Sequence, residues 1–173
     1  TPSKNILIVD GFATGNQYAA AARARGLVPF HITSGLEKTS SLPADFMDKY
    51  IAGQIAGKYE KCFVMPPTLE EAVQLLKKYH FAAVIPGTES GVIAAEQIAH
   101  RLGLPVNNPA LLYARRDKYL MQKALQEAGL AHIDCVLTED VETAVQWFRK
   151  SGHRRIIIKP PCSAGTDGVK SCA

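Results

Sequence analysis

The first apolar cluster is a short continuous run, Asn5-Ile-Leu-Ile-Val9, with polar residues on either side. A run of that length without alternation suits a strand covered on both faces of a parallel sheet. The loop Asp10-Gly-Phe-Ala-Thr-Gly15 follows. An alanine-rich stretch then predicts a helix to about Arg25, stopped by Gly26, and residues 28–32 read as a second strand. Strand, helix and strand within ~30 residues form a βαβ unit. Residues 33–59 are rich in Ser, Thr, Gly and Pro, and only 45–51 carry a weak helical pattern. Residues 62–64 predict a short strand. Thr68-Leu-Glu-Glu71 has the form of a capping box, and Leu69, Val73, Leu76 and Tyr79 continue it as a helical stripe. Residues 82–85 predict another buried strand ending at Pro86-Gly87. A helix over 88–102 comes next, capped by Thr88, with Glu89 in the first turn where the dipole favours an acid. Gly103 stops it, and Leu104-Pro105-Val106 reads as a last short strand.

Strand and helix thus alternate four times before residue 105, which predicts an α/β fold: an open, Rossmann-like parallel sheet over residues 1–110. Asn107-Asn108-Pro109 marks a linker. Residues 111–129 carry a linker helix that begins at Asp117, with Leu120, Met121, Ala124, Leu125 and Ala128 on one face and Gly129 at its end. Residues 130–173 then read as the start of a second domain. A strand is expected over 133–137 and a helix from Thr138, with Val141, Ala144, Val145 and Phe148 inward. A buried strand over 156–159 completes a β-α-β beginning.

Composition narrows the function classes. With 47% apolar and 21% charged residues, the 173-residue chain has the balance of a globular protein. Its net charge of +4 suits an anionic small ligand and is too small to argue for nucleic acid. Cys62, Cys135, Cys162 and Cys172 form no CxxC pair and have no histidines at metal spacing, so reduced thiols are expected. No apolar run reaches the ~18 residues of a membrane span. The N-terminus enters a strand directly, without a signal-peptide core. A cytoplasmic protein with neither membrane nor nucleic-acid partners is the expectation.

The stretch richest in chemistry is Arg155-Ile-Ile-Ile-Lys159-Pro-Pro-Cys-Ser163-Ala-Gly165-Thr-Asp-Gly168-Val169. A strand delivers Lys159 to a loop of small residues, where Gly165 and Gly168 have no Cβ to block backbone N–H groups from an anion. The pattern GxxxxGK[ST] is absent, because this lysine precedes its glycines. A solvated Ser/Gly/Asp turn explains the same residues without a ligand. Arg115-Arg116-Asp117-Lys118 places three cations at a helix start, against the dipole, so an anion arriving there would relieve them. Asp117 itself reads as an N-cap. The loop Asp10 to Gly15 does not match GxGxxG, and no acid ends the second strand, where His31 and Thr33 stand. Nicotinamide-cofactor binding loses both supports, and a structural turn is the reading. Pro86-Gly-Thr-Glu89-Ser90-Gly91 lies at the carboxyl end of a strand, the edge where open α/β sheets take ligands, so Glu89 and Ser90 are candidate substrate contacts. The histidines are scattered, and the sequence offers no catalytic triad.

Several of these motifs together resemble the front part of an ATP-grasp enzyme, closest to carboxylate–amine ligases that join amino acids, relatives of carbamoyl-phosphate synthetase and biotin carboxylase. They are Asp10-Gly-Phe-Ala-Thr-Gly15, Val84-Ile-Pro-Gly-Thr-Glu-Ser-Gly91, Ala114-Arg-Arg-Asp-Lys118-Tyr-Leu-Met121, and Ile158-Lys159-Pro with Ser163-Ala-Gly-Thr-Asp-Gly168-Val169. The resemblance implies a Rossmann-like pre-ATP-grasp domain over 1–110, the linker helix over 111–129, and a truncated first ATP-grasp subdomain over 130–173. By position it implies ATP binding by Lys118, Lys159, Ser163, Ala164, Gly165, Thr166 and Gly168, with Lys118 and Lys159 on the phosphates and the loop closing over them. A return strand would begin at Val169 or Lys170. It implies small-molecule carboxylate and amine substrates joined through an acyl phosphate, with ATP and Mg²⁺ as cofactors. The Mg²⁺ ligands, the adenine-contacting strand and the catalytic arginine would lie beyond Ala173. On this reading the chain holds no catalytic or metal-binding residue and does not turn over alone. Relatives of this kind are often dimers, so a homodimer is an expected partner. The alternative is a non-catalytic Rossmann-like module that binds a nucleotide or another protein.

Overall fold

The computed structural model describes residues 3–35, 44–163 and 166–173. The chain divides into two compact units, Thr1–Ala110 and Leu111–Ala173.

In the first unit, β1 (Asn5–Val9), β2 (Val28–Thr33), β3 (Cys62–Val64) and β4 (Ala83–Pro86) form one sheet in the order β3-β2-β1-β4. Every pairing is parallel, with Leu7 opposite Phe30 and Val84, and Ile32 opposite Phe63. Helices α1 (Tyr18–Ala24), α2 (Ala44–Ile55), α3 (Leu69–Lys77) and α4 (Val92–Arg101) connect or follow the strands. The pleat sorts the apolar side chains of β1. Leu7 and Val9 join Phe30, Ile32, Phe63, Val84 and the helix residues Leu76, Ala95 and Ile98 in the main core. Ile8 points the other way, into a smaller cluster with Ala19 and Tyr59. The strands are therefore covered on both sides, which is why they read as apolar runs. At α3 the capping box is complete: Thr68 Oγ1 accepts from the Glu71 N–H, and a Glu71 carboxylate oxygen accepts from the Thr68 N–H.

Three details of this unit differ from expectation. Residues 104–106 form no strand, although Leu104 and Val106 pack against the main core. Apolar character brought them to the core, but without ladder bonds they are not a strand. Helix α2 extends further than the weak pattern over 45–51 indicated, because Met47 and Ile51 bury against Phe12. Thr88 does precede the helical segment, but its hydroxyl bonds Ser90 Oγ and not a backbone N–H, and the segment opens as a 3-10 turn over Glu89–Gly91 before α4.

In the second unit, two 3-10 turns (Pro109–Leu111, Tyr113–Arg115) lead to α5 (Lys118–Glu127). Helix α6 (Val141–Ser151) and the antiparallel pair β5 (Ile156–Ile158) and β6 (Lys170–Cys172) follow. No described residue of this unit is fully buried. The strand expected over 133–137 is absent: no ladder forms there, and Ile133 is 70% exposed. Val141, expected inward, is 77% exposed at the first position of α6, whereas Ala144, Val145 and Phe148 are half-buried. The strand expected to be buried, β5, leaves Ile157 and Ile158 about half exposed at 54% and 49%, since its sheet partner among the described residues is β6 alone. Leu120 and Met121 on α5 are exposed as well.

Candidate functional site

Two places gather polar groups, one in each unit. The second unit holds the lysines. Asp117 caps α5, its carboxylate accepting from the Tyr119 and Leu120 N–H groups at 2.8 and 2.9 Å. That cap fixes the start of the helix and so the root of Lys118. The Lys118 ammonium donates to the Ser163 carbonyl at 2.7 Å, to the Pro160 and Pro161 carbonyls at 3.2 and 3.3 Å, and to Ser163 Oγ at 3.4 Å. Its backbone N–H donates to the Pro161 carbonyl at 3.0 Å, and Arg116 reaches the Cys162 carbonyl at 3.5 Å. Four successive carbonyls of the β5–β6 loop are thus turned toward the two cations.

Carbonyl oxygens of residues 160–163 line this side of the loop. A cation draws oxygens, and these acceptors lie on the Lys118 ammonium. Lys159 is exposed and stands between Ile158 and Pro160, at the same end of the hairpin as the Lys118 cluster. Thr166 and Gly168 both have left-handed backbones, with φ of 64° and 66°. At Gly168 a Cβ would lie 2.7 Å from the Pro160 ring, so glycine is required there. Ala164 and Gly165 lie outside the described residues. Lysines and a tight loop suit phosphate oxygens. A divalent cation is another matter: among the described residues no group of three His, Cys, Asp or Glu side chains is placed to hold one.

The first unit holds a buried carboxylate that sequence reasoning passed over. Asp10 follows β1 with a left-handed backbone (φ 55°) and no exposed surface. One of its oxygens accepts from the Ser34 N–H at 2.7 Å. The other accepts from the hydroxyls of Ser34 at 2.6 Å and Ser90 at 2.5 Å. Ser34 follows β2 and Ser90 follows β4, so Asp10 ties together the carboxyl ends of three strands. The turn assigned a purely structural role in the sequence therefore holds the acid around which this edge is built. His31 fixes the next peptide from below: its Nε2 accepts from the Gly11 N–H at 3.0 Å, and Tyr59 donates to the Gly11 carbonyl at 2.9 Å. Burial pushes the His31 imidazole down to about 4 and the Tyr59 hydroxyl up to about 12. The neutral ring must then carry its proton on Nδ1, which finds no partner among the described residues.

Close backbone contact completes this edge. A Cβ on Gly87 would sit 2.5 Å from the Asp10 carbonyl, so only glycine lets the β1 and β4 loops meet there. Of the candidate substrate contacts, Ser90 is half-buried and committed to Asp10, while Glu89 is exposed on the same 3-10 turn. The distant pairing of Asp10 with Ser34 and Ser90 leaves no local sequence signal. The one hint was an acid at the end of a buried strand, followed by glycine.

No family model matches the chain. A curated relative, dapdiamide A synthase of Enterobacter agglomerans, is 31% identical over 169 residues; the match spans 96% of this chain and 38% of that protein's length. The N5-carboxyaminoimidazole ribonucleotide synthetase, solved as its ADP complex, matches with a TM-score of 0.65 at 18% identity, over 98% of this chain and 40% of its own. The phosphoribosylglycinamide synthetase of Anaerococcus prevotii matches with 0.59 at 14%, over 98% and 38%. The L-amino acid ligase of Bacillus licheniformis matches with 0.51 at 16%, over 87% and 42%. These structures show the fold, shared over about two fifths of each protein's length, and it is the α/β arrangement that the resemblance implied.

Proposed function

We propose that the chain is the N-terminal portion of an ATP-dependent carboxylate–amine ligase, with ATP phosphates received at Lys118, Lys159 and the β5–β6 loop. The observation that supports this most is the Lys118 ammonium set against the carbonyls of residues 160–163 by the Asp117 cap. It brings a helix-start cation to the loop where the resemblance expects the phosphates. When bound, ATP supplies the phosphoryl group that activates a carboxylate for attack by an amine. Lys118 and Lys159 neutralise phosphate charge, and Ser163, Ala164, Gly165, Thr166 and Gly168 offer a backbone that closes over it. Lys118 must exchange some of its carbonyl partners for phosphate oxygens as it does so.

At the other edge, Glu89 and Ser90 meet a small-molecule substrate beyond the carboxyl ends of β1 and β4. Among the described residues no group of three His, Cys, Asp or Glu side chains is placed to hold Mg²⁺. We further propose that this chain does not turn over alone, that it works in the cytoplasm, and that it pairs with a second copy.

The nucleotide-binding part is tested by titrating the chain with a fluorescent ATP analogue. Lys118→Met and Lys159→Met are each expected to weaken binding by about tenfold, the effect of one charge-assisted contact. Binding that is indifferent to both lysines, or no binding to the unaltered chain, overturns the assignment.

A further inference from the structure

We propose that Asp10 is a positioning residue: it sets the direction of the hydroxyls of Ser90 and Thr88, so that this edge accepts hydrogen bonds from a substrate and donates none through them. The inference deepens the reading of this edge as a substrate site and rests on it. A hydroxyl has one proton and two lone pairs. Ser90 gives its proton to the Asp10 carboxylate at 2.5 Å. The 2.9 Å contact between Thr88 Oγ1 and Ser90 Oγ admits either direction by distance. Since the Ser90 proton is already used, Thr88 is the donor. The chain therefore runs Thr88 to Ser90 to Asp10, and both protons are consumed within it. What remains on either oxygen is lone pairs.

A group that bonds to this pair must bring its own N–H or O–H. An ammonium qualifies; a carboxylate or a phosphate oxygen meets only lone pairs. The same logic explains why Asp10 is buried and tied by the Ser34 N–H and hydroxyl as well. A carboxylate held by two strand ends cannot rotate to release the Ser90 proton. The edge is then specific for the amine-bearing end of a substrate. Discrimination comes from the unpaired acceptors that a deaminated analogue would leave behind.

The experiment follows backbone amide signals of the ¹⁵N-labelled chain, without nucleotide, during titration with each of the twenty L-amino acids. Any that binds is compared with its N-acetyl and deaminated counterparts. The expected result is a shift of the Gly11, Ser90 and Gly91 signals by at least one amino acid, with its deaminated counterpart about tenfold weaker or more and its N-acetyl counterpart, which keeps one N–H, weakened less. Asp10→Asn places an amide N–H where Ser90 now donates, so the hydroxyl must turn and the preference for the amine should vanish. Folding of that variant is followed by circular dichroism. Should it fail to fold, Ser90→Ala and Thr88→Val remove the chain's links without touching the buried acid, and the same loss of preference is expected. A merely structural role for Asp10 would weaken the three ligands alike. Equal binding of amino acid and deaminated analogue, a preference that survives these variants, or no shift with any amino acid overturns the proposal. Failure of ATP to bind at Lys118 and Lys159 would sink the ligase reading and leave this result standing.

Discussion

His31 is the side chain in which burial and chemistry meet most directly. Its ring is held neutral because charging it would break the bond from the Gly11 N–H and place a cation in a closed cluster beside Tyr59. The native pKa is about 4 against 6.5 for the free group. Between those values the unfolded chain binds a proton that the native chain refuses. The His31 contribution to stability therefore falls as pH drops from about 6.5 and levels off below about 4, a loss of up to about 3 kcal/mol. Above 6.5 the residue adds no slope. His31→Gln keeps an oxygen able to accept from Gly11 and removes the titration. Urea midpoints followed across this window should decline less steeply in the variant than in the unaltered chain. Parallel declines would show that the ring's proton is not coupled to folding. The same variant bears on Asp10 indirectly, since Gly11 is the next residue along the loop.

At the scale of elements, helix ends show how far local rules carry. Helices α1, α4, α5 and α6 each run out into a glycine with φ near 70°, at Gly26, Gly103, Gly129 and Gly152. Helix α3 does not: three residues past its end, the exposed His80 takes φ 49°. A non-glycine residue there carries a left-handed penalty, so His80→Gly should raise stability by about 0.5–1 kcal/mol after the entropy of the freer unfolded chain is set against it. A thermal midpoint that fails to rise would mean the imidazole contributes something the backbone strain conceals. The glycine stops at 26, 103 and 129, the capping box at Thr68 and all four strands of the parallel sheet were legible in the sequence, because each depends on neighbours in the chain or on burial on both faces. Residues 104–106 and 133–137 were misread for the complementary reason. Their apolar character is real, yet a strand also needs a partner ladder, which local pattern does not encode. Asp10 was missed likewise: its partners Ser34 and Ser90 stand 24 and 80 residues away, and only the sheet brings them together.

For the whole molecule, burial divides the chain unevenly. All fully buried residues described belong to the first unit, where a four-stranded sheet lies between helices. The second unit holds its hairpin by β5–β6 pairing and by the Lys118 and Arg116 bonds to the loop, with apolar side chains such as Ile157, Leu137 and Val141 in solvent. A two-stranded hairpin is marginal in water, so its amides should open far more readily than those of β1 and β2. Native-state hydrogen exchange on this chain tests that difference. The Leu7, Ile8 and Ile32 amides are expected to exchange only on global unfolding, whereas the Ile157 and Ser171 amides should exchange at least about a hundredfold faster, a gap of about 2.7 kcal/mol. Equal protection would mean that β5 and β6 are covered in solution by something other than their own unit, a second copy of the chain being the first to test. Repeating the exchange with ATP then separates two sources of order. Phosphate replacing carbonyls on Lys118 should slow the loop around Ser163 and leave Leu7 unchanged, since ligand binding protects the segment it orders and not a core already closed.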